Sequence, residues 1–222
     1  MMLVLQNVLG PEDVARLRDG LANAAWADGR ATAGAAARAV KNNLQAPGAD
    51  RAIQALEDFA EAALRRHPLF AIAARPRRLS RFLFSRYEPG MTYGRHTDDA
   101  LMGADALRTD LAFTLFLTPP AEYDGGELTI DSALGEQAIK LEPGDAVLYP
   151  AGTIHFVAPV TRGARLACVG WIQSLVADAA QREILFDLSV TRTRLSQANA
   201  PAEEVLRLDK TISNLLRMWA RP

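Results

Sequence analysis

The hydrophobic pattern changes period twice along the chain. After a short apolar stretch from Leu3 to Val8, Pro11 opens a segment with Val14, Leu17 and Leu21 at helical spacing. A second helix carries Ile53, Leu56, Phe59 and Leu64. Between them, TAGAAARAVKNNLQAPGAD has weak periodicity and ends in a Pro-Gly turn, so a partly ordered loop is expected there. From Arg77 the period becomes two. Leu79, Arg81, Leu83, Ser85 and Tyr87 share one face, with Ser80, Phe82, Phe84 and Arg86 on the other. Further strands are expected over Leu111 to Leu117, Gly126 to Ile130, Ala138 to Leu141, Ala146 to Tyr149, His155 to Val160 and Arg165 to Ser174. Turn signals at Tyr123 to Gly126, Glu142 to Asp145 and Arg162-Gly163 separate them. Short strands this closely spaced point to a sandwich or barrel, not to a parallel α/β sheet.

Helical spacing returns from Asp178 to Leu195 and again after Pro201, where Val205, Leu208, Ile212, Leu215 and Trp219 form a heptad-like seam. Two heptads are too few for a sustained coiled coil, so the seam either packs on the strands or joins subunits of a homo-oligomer. The expected organisation is an N-terminal helical support over residues 1–76, a strand-rich core over 77–176 and a helical extension over 177–222. A length of 222 residues fits one sizeable domain. With 25 basic and 26 acidic residues, the net charge of -1 offers no field for nucleic acid or an anionic membrane. The single cysteine, Cys168, cannot form an intrachain disulfide, and the first residues lack the features of a signal peptide. A reducing cytoplasm is therefore the expected location, and no apolar run of about 18 residues is present to span a bilayer.

Two of the three histidines stand where chemistry is expected. His96 lies two residues before Asp98, so in an extended segment both side chains leave the same face. His155 follows the expected strand AVLYP by one turn, and a sheet closing on itself brings it to the same mouth. Two imidazoles and one carboxylate on one side of a metal make the facial triad of non-haem iron(II) oxygenases. Each element alone is weak, since a lone His-x-Asp is more often a capping or surface pair. Their joint placement ahead of Arg165 is what gives them weight. Arg165 sits ten residues after His155 among apolar neighbours, Leu166 to Val169. A buried guanidinium without an anion is costly, and a carboxylate gripped in bidentate fashion is its best match.

The segments RYEPGMTYGRHTDDA, GGELTI and PGDAVLYPAGTIHFVAPVTRGAR resemble the prolyl 4-hydroxylase branch of the 2-oxoglutarate oxygenases. More narrowly, VKNNLQ, RTDLAFTLFL, DGGEL and GWIQSLVADAAQREILFDL are similar to the bacterial PKHD-type hydroxylases, a group often encoded near iron-uptake genes. The resemblance implies a mainly β protein, a double-stranded β-helix or jelly-roll barrel with helices at both ends. It implies Fe(II) on His96, Asp98 and His155, with 2-oxoglutarate anchored by Arg165. It further implies O2 as oxidant, succinate and CO2 as co-products, and ascorbate as reductant. Tyr87 resembles a tyrosine that reaches the cosubstrate, with a core role as the alternative; for Tyr93 a structural role is expected. Lys41 and Asn43 match a family motif and either line the mouth for a small-molecule or peptidyl substrate or sit in a solvated loop. His67 is expected at a helix end. An AlkB-like demethylase would carry a second arginine six residues after Arg165, where this chain has Trp171. A cupin-like module or isomerase, the other rival, would offer more histidines and a glutamate.

Overall fold

In the computed structural model, which describes residues 1–221, the strand Leu111–Phe116 is buried at every position because its two faces serve different cores. Leu111, Phe113 and Leu115 face the N-terminal helices, while Ala112 and Phe116 face a second sheet. A strand covered on both sides has no reason to alternate with polar residues. The same division explains Leu83–Tyr87: Phe84 enters the helix-side core, whereas Ser85 and Tyr87 face the cavity between the sheets.

The larger antiparallel sheet runs in the order Leu3–Leu5, Ala146–Pro150, Leu111–Phe116, Arg165–Ser174, Leu83–Tyr87, Leu44–Gln45, Ala27–Asp28, and Pro76–Leu79 also pairs with Arg165–Ser174. The smaller sheet orders Gly135–Ile139, Leu128–Ser132, His155–Val157, Thr92–His96 and Lys41–Asn42. Between Leu83 and Ser174 the chain keeps crossing from one sheet to the other, which lays them face to face over a shared apolar layer that includes Phe116, Ile130, Val147 and Val157.

Against the outer face of the larger sheet lie Pro11–Ala22, Arg51–Arg66 and Pro68–Ala74, supplying Leu17, Ile53, Leu64 and Phe70 to its core. Asp50 caps the second of these by accepting from Ala52 N at 2.8 Å. His67 joins the second and third helices, as expected of a helix-end residue, and its Nε2 lies 3.0 Å from the carbonyl of Gln6. In this core Phe82 and Phe113 meet edge-on, with ring centres 4.7 Å apart. Phe113 is 1% exposed, so Phe113→Ala should lower the unfolding free energy by about 3–5 kcal/mol. A urea midpoint within error of the parent would contradict that.

The structure departs from the sequence expectations in four places. The stretch from Arg77 to Tyr87 is two strands, Pro76–Leu79 and Leu83–Tyr87, both on Arg165–Ser174. Ser80 interrupts it by accepting from Trp171 N with its own Oγ, at 3.0 Å. The stretch from His155 to Val160 also divides, because Pro159 has no N–H to donate, and Val160–Arg162 pairs instead with Asp124–Gly125. The apolar seam of Ala202–Trp219 is half-buried against the helix Ala179–Gln197 and not on the sheets; Arg192 and Asp209 pair across that contact at 2.9 Å. Finally, the loop expected after Thr32 is ordered: one turn of helix, Ala35–Arg38, precedes the two-residue strands Lys41–Asn42 and Leu44–Gln45. These join different sheets, so the segment bridges both layers at one end of the cavity. No helix of the described residues is long and apolar enough to cross a membrane.

Candidate active site

The site begins with a bulge. Thr92–His96 pairs with His155–Val157 so that His96 faces His155 and Tyr93 faces Val157, three steps on one strand against two on the other. The extra residue turns Tyr93 and His96 to one side, and their rings stack at 3.7 Å with an interplanar angle of 18°. Gly94 sits inside the bulge and donates to Val40 O at 2.8 Å; a Cβ there would lie 2.8 Å from the Val40 Cβ. No larger residue fits that approach.

His96, Asp98 and His155 each turn a ligand atom to one point, and those atoms lie within 4.8 Å of one another. His155 Nε2 is 3.8 Å from Asp98 Oδ1. The imidazole tautomers follow from their partners. His96 Nδ1 lies 2.8 Å from Gly94 O, and His155 Nδ1 lies 2.9 Å from Thr153 O. A carbonyl oxygen only accepts, so each Nδ1 carries a proton, and in the neutral ring it is Nε2 that holds the ligating lone pair. Burial, together with neighbouring His155, pulls His96 down to about 4, which keeps its ring neutral. Burial pushes the Asp98 carboxyl up, against the pull of His155 and Trp171. The Trp171 indole stands close to Asp98, yet neither Trp171 Nε1 nor Asp98 Oδ2 has a hydrogen-bond partner of good geometry. A pocket that penalises an uncompensated carboxylate and turns two imidazole Nε2 atoms toward it suits a divalent cation, which answers the one and is ligated by the others.

Arg165, 1% exposed, is the largest fully buried side chain among the described residues. Its guanidinium carbon lies 5.3 Å from the ring centres of both Tyr87 and Phe116. Tyr87 and Arg165 are register partners on adjacent strands. Gly126, at φ +68, makes room for this side chain, since a Cβ there would stand 3.2 Å from Arg165 Cδ. Arg165 forms no ion pair with any described residue, and its Nε has no hydrogen-bond partner. It lines the same cavity as the two histidines and Asp98. Burial pushes the Tyr87 hydroxyl up to about 12, so it stays protonated, with a proton to donate.

Lys41 and Asn43 lie at the cavity, not in solvent: they are 7% and 3% exposed. Lys41 is the register partner of Tyr93, and its Nζ lies 5.1 Å from the centre of that ring. Burial pulls its ammonium down to about 8, against the pull of Asp98 and Asp28. Tyr149 and Trp171 also line the cavity, and sequence reading did not single out either as a site residue. Tyr149 meets the His155 ring edge-on at 5.1 Å. Its place in the alternation of Ala146–Pro150, opposite Leu148 in the helix-side core, was the available signal.

Residues 82–173 match the model of the 2OG-Fe(II) oxygenase superfamily, and residues 179–221 match the PKHD-type hydroxylase C-terminal domain. A PKHD-type hydroxylase of Synechococcus sp. (strain JA-2-3B'a(2-13)) is 47% identical over 222 residues, covering 99% of each chain. Among solved structures, a Pseudomonas putida prolyl-4-hydroxylase aligns with a TM-score of 0.52 at 22% identity, covering 78% of this chain and 92% of that one. A prolyl hydroxylase from Trichoplax adhaerens, in complex with a hypoxia inducible factor oxygen degradation domain peptide fragment, gives 0.58 at 17% identity, covering 77% and 82%. The last two likenesses are of fold. Full-length relatedness and both family models agree, and the chain belongs to the PKHD-type hydroxylases, Fe(II)- and 2-oxoglutarate-dependent dioxygenases of the 2OG-Fe(II) oxygenase superfamily.

Proposed function

We propose that this enzyme holds Fe(II) on His96 Nε2, the Asp98 carboxylate and His155 Nε2, and that Arg165 grips the distal carboxylate of 2-oxoglutarate. The observation that carries the reading is one cavity containing both a convergent His-Asp-His set and a buried arginine that no internal anion answers. Bound Fe(II), with 2-oxoglutarate and O2, supplies the oxidising power to place one oxygen atom into a substrate C–H bond, with succinate and CO2 as co-products.

The chain's own residues supply placement. The backbone carbonyls of Gly94 and Thr153 fix the two imidazoles. Phe116 and Tyr87 pack beside the guanidinium and restrict it, and the Tyr87 hydroxyl donates toward the cosubstrate. Lys41 and Asn43 face the substrate, a small molecule or a peptidyl residue. The two sheets close as the double-stranded β-helix of the superfamily, and ascorbate serves to keep the metal reduced.

The decisive measurement is anaerobic addition of Fe(II) and then 2-oxoglutarate. A weak visible charge-transfer band that needs both is the expected result, and its absence with folded protein would sink the reading. Succinate release can then be screened over peptides and over extracts of iron-starved cells, with mass spectrometry detecting the gain of one oxygen atom.

A further inference from the structure

Lys41 is a buried cation with little to hold it. An ammonium has three N–H donors, and the one hydrogen bond its Nζ makes among the described residues is to Thr32 Oγ1, at 3.1 Å. Thr32 Oγ1 in turn donates to Gln45 Oε1 at 2.6 Å, so its own proton is committed. Lys41 forms no ion pair with any described residue. Three carboxylates stand in its surroundings. Asp28 is exposed and paired with Arg30 at 2.5 Å. Asp99 is exposed and lies against the backbone at Gly34. Asp98 belongs to the His-Asp-His set. The remaining contact is with the face of Tyr93, which offsets only part of what burying a charge costs.

The position of this charge is informative. Lys41 Nζ lies 5.1 Å from the centre of the Tyr93 ring, and that ring stacks 3.7 Å from His96. A cation thus stands one aromatic ring beyond a proposed metal ligand, at the end of the cavity where Lys41–Asn42 and Leu44–Gln45 tie the two sheets together. With Fe(II) on Asp98, and the two carboxylates of 2-oxoglutarate on the metal and on Arg165, the charges at the centre balance. Lys41 is the one left over.

We propose that Lys41 is the substrate-recognition residue of this site and that the primary substrate carries a carboxylate, received by Lys41 Nζ while the reacting C–H bond faces the metal. The proposal rests on the oxygenase reading for the location of the reacting centre. Recognition of the anion itself depends only on Lys41 and its surroundings. Free acids, and peptides with an acidic side chain or terminus near the reacting residue, are the class selected. Amines, and neutral molecules without an anionic group, are rejected.

The test uses matched probes: a panel of N-acetyl amino acids, their carboxamides, and inorganic phosphate. Saturable binding is measured to full-length protein carrying Mn(II) and 2-oxoglutarate, and again, without them, in an Arg165→Ala background that offers the acids no second cation, so that failure of the metal reading leaves the anion test standing. Acids should bind more tightly than their carboxamides by roughly tenfold to a hundredfold, the span of a charged hydrogen bond. Lys41→Met should erase that difference, Lys41→Arg should keep it, and 2-oxoglutarate affinity should stay where it was in both. The proposal is overturned if carboxamides bind as well as acids, if no acid binds, or if the preference survives in Lys41→Met. Tighter binding of phosphate than of every acid overturns the carboxylate assignment. A loss of 2-oxoglutarate affinity in Lys41→Met would move the residue to the cosubstrate.

Discussion

Asp98→Ala should give a folded protein that no longer retains Fe(II) or releases succinate, and His96→Ala should do the same. Removing even an outer-sphere partner of a metal ligand typically costs 10–100-fold in affinity, so loss of a ligand should exceed roughly a hundredfold. The informative comparison is with stability. If Asp98 served mainly as half of an ion pair with His155, its removal would destabilise the metal-free protein. The structure points the other way. Burial pushes this carboxyl up, and its Oδ2 has no hydrogen-bond partner, so the metal-free fold carries it at a cost. The unfolding temperature of metal-free Asp98→Ala should therefore equal or exceed that of the parent. Added Fe(II) should raise the parent's unfolding temperature by mass action and leave the variant's unchanged. An Asp98→Ala protein that keeps its Fe(II)-dependent stabilisation would show that the ligand set has been drawn wrongly.

How much of this was legible in the sequence depended on the range of the signal. The period of two from Leu83 onward and the turn chemistry at Glu142 to Asp145 are local, and they announced a mainly β core flanked by helices. The spacing of His96 and Asp98 is local as well, and it points to one face of an extended segment. The bulge that stacks Tyr93 on His96 is not, because it exists only against His155–Val157, some sixty positions along the chain. The bridge formed by Lys41–Asn42 and Leu44–Gln45 was invisible for another reason. A two-residue strand carries no period, and each of these draws its hydrogen bonds from a different sheet. Composition favoured a solvated loop for Lys41 and Asn43, and the resemblance only brought the two readings level; pairing with Thr92–His96 and the closure of Gly94 against Val40 place them at the cavity. The seam of the last helix was readable as apolar, but not its partner, since helix and sheet surfaces offer the same chemistry to a leucine.

Arg165→Ala should separate cosubstrate binding from metal binding. The parent side chain is buried with its guanidinium carbon 5.3 Å from the ring centres of both Phe116 and Tyr87, so it is restricted before any ligand arrives and little ordering entropy is lost on binding. Two charge-assisted hydrogen bonds to a carboxylate, at about 1.5–3 kcal/mol each, correspond to a 2-oxoglutarate requirement raised by two to four orders of magnitude. The three metal-ligand atoms lie on other strands and loops and do not lean on Arg165, so Fe(II) affinity should change little. Arg165→Lys supplies the control. It restores the charge without the planar fork, and its 2-oxoglutarate affinity should fall between the two. A site that merely needed positive charge would make Lys as good as Arg; a site that needed only bulk beneath Gly126 would favour Met over both. Titration of the anaerobic Fe(II) charge-transfer band with 2-oxoglutarate reads all four proteins on one scale, and a midpoint in Arg165→Ala equal to the parent's would mean that the buried arginine answers some other anion.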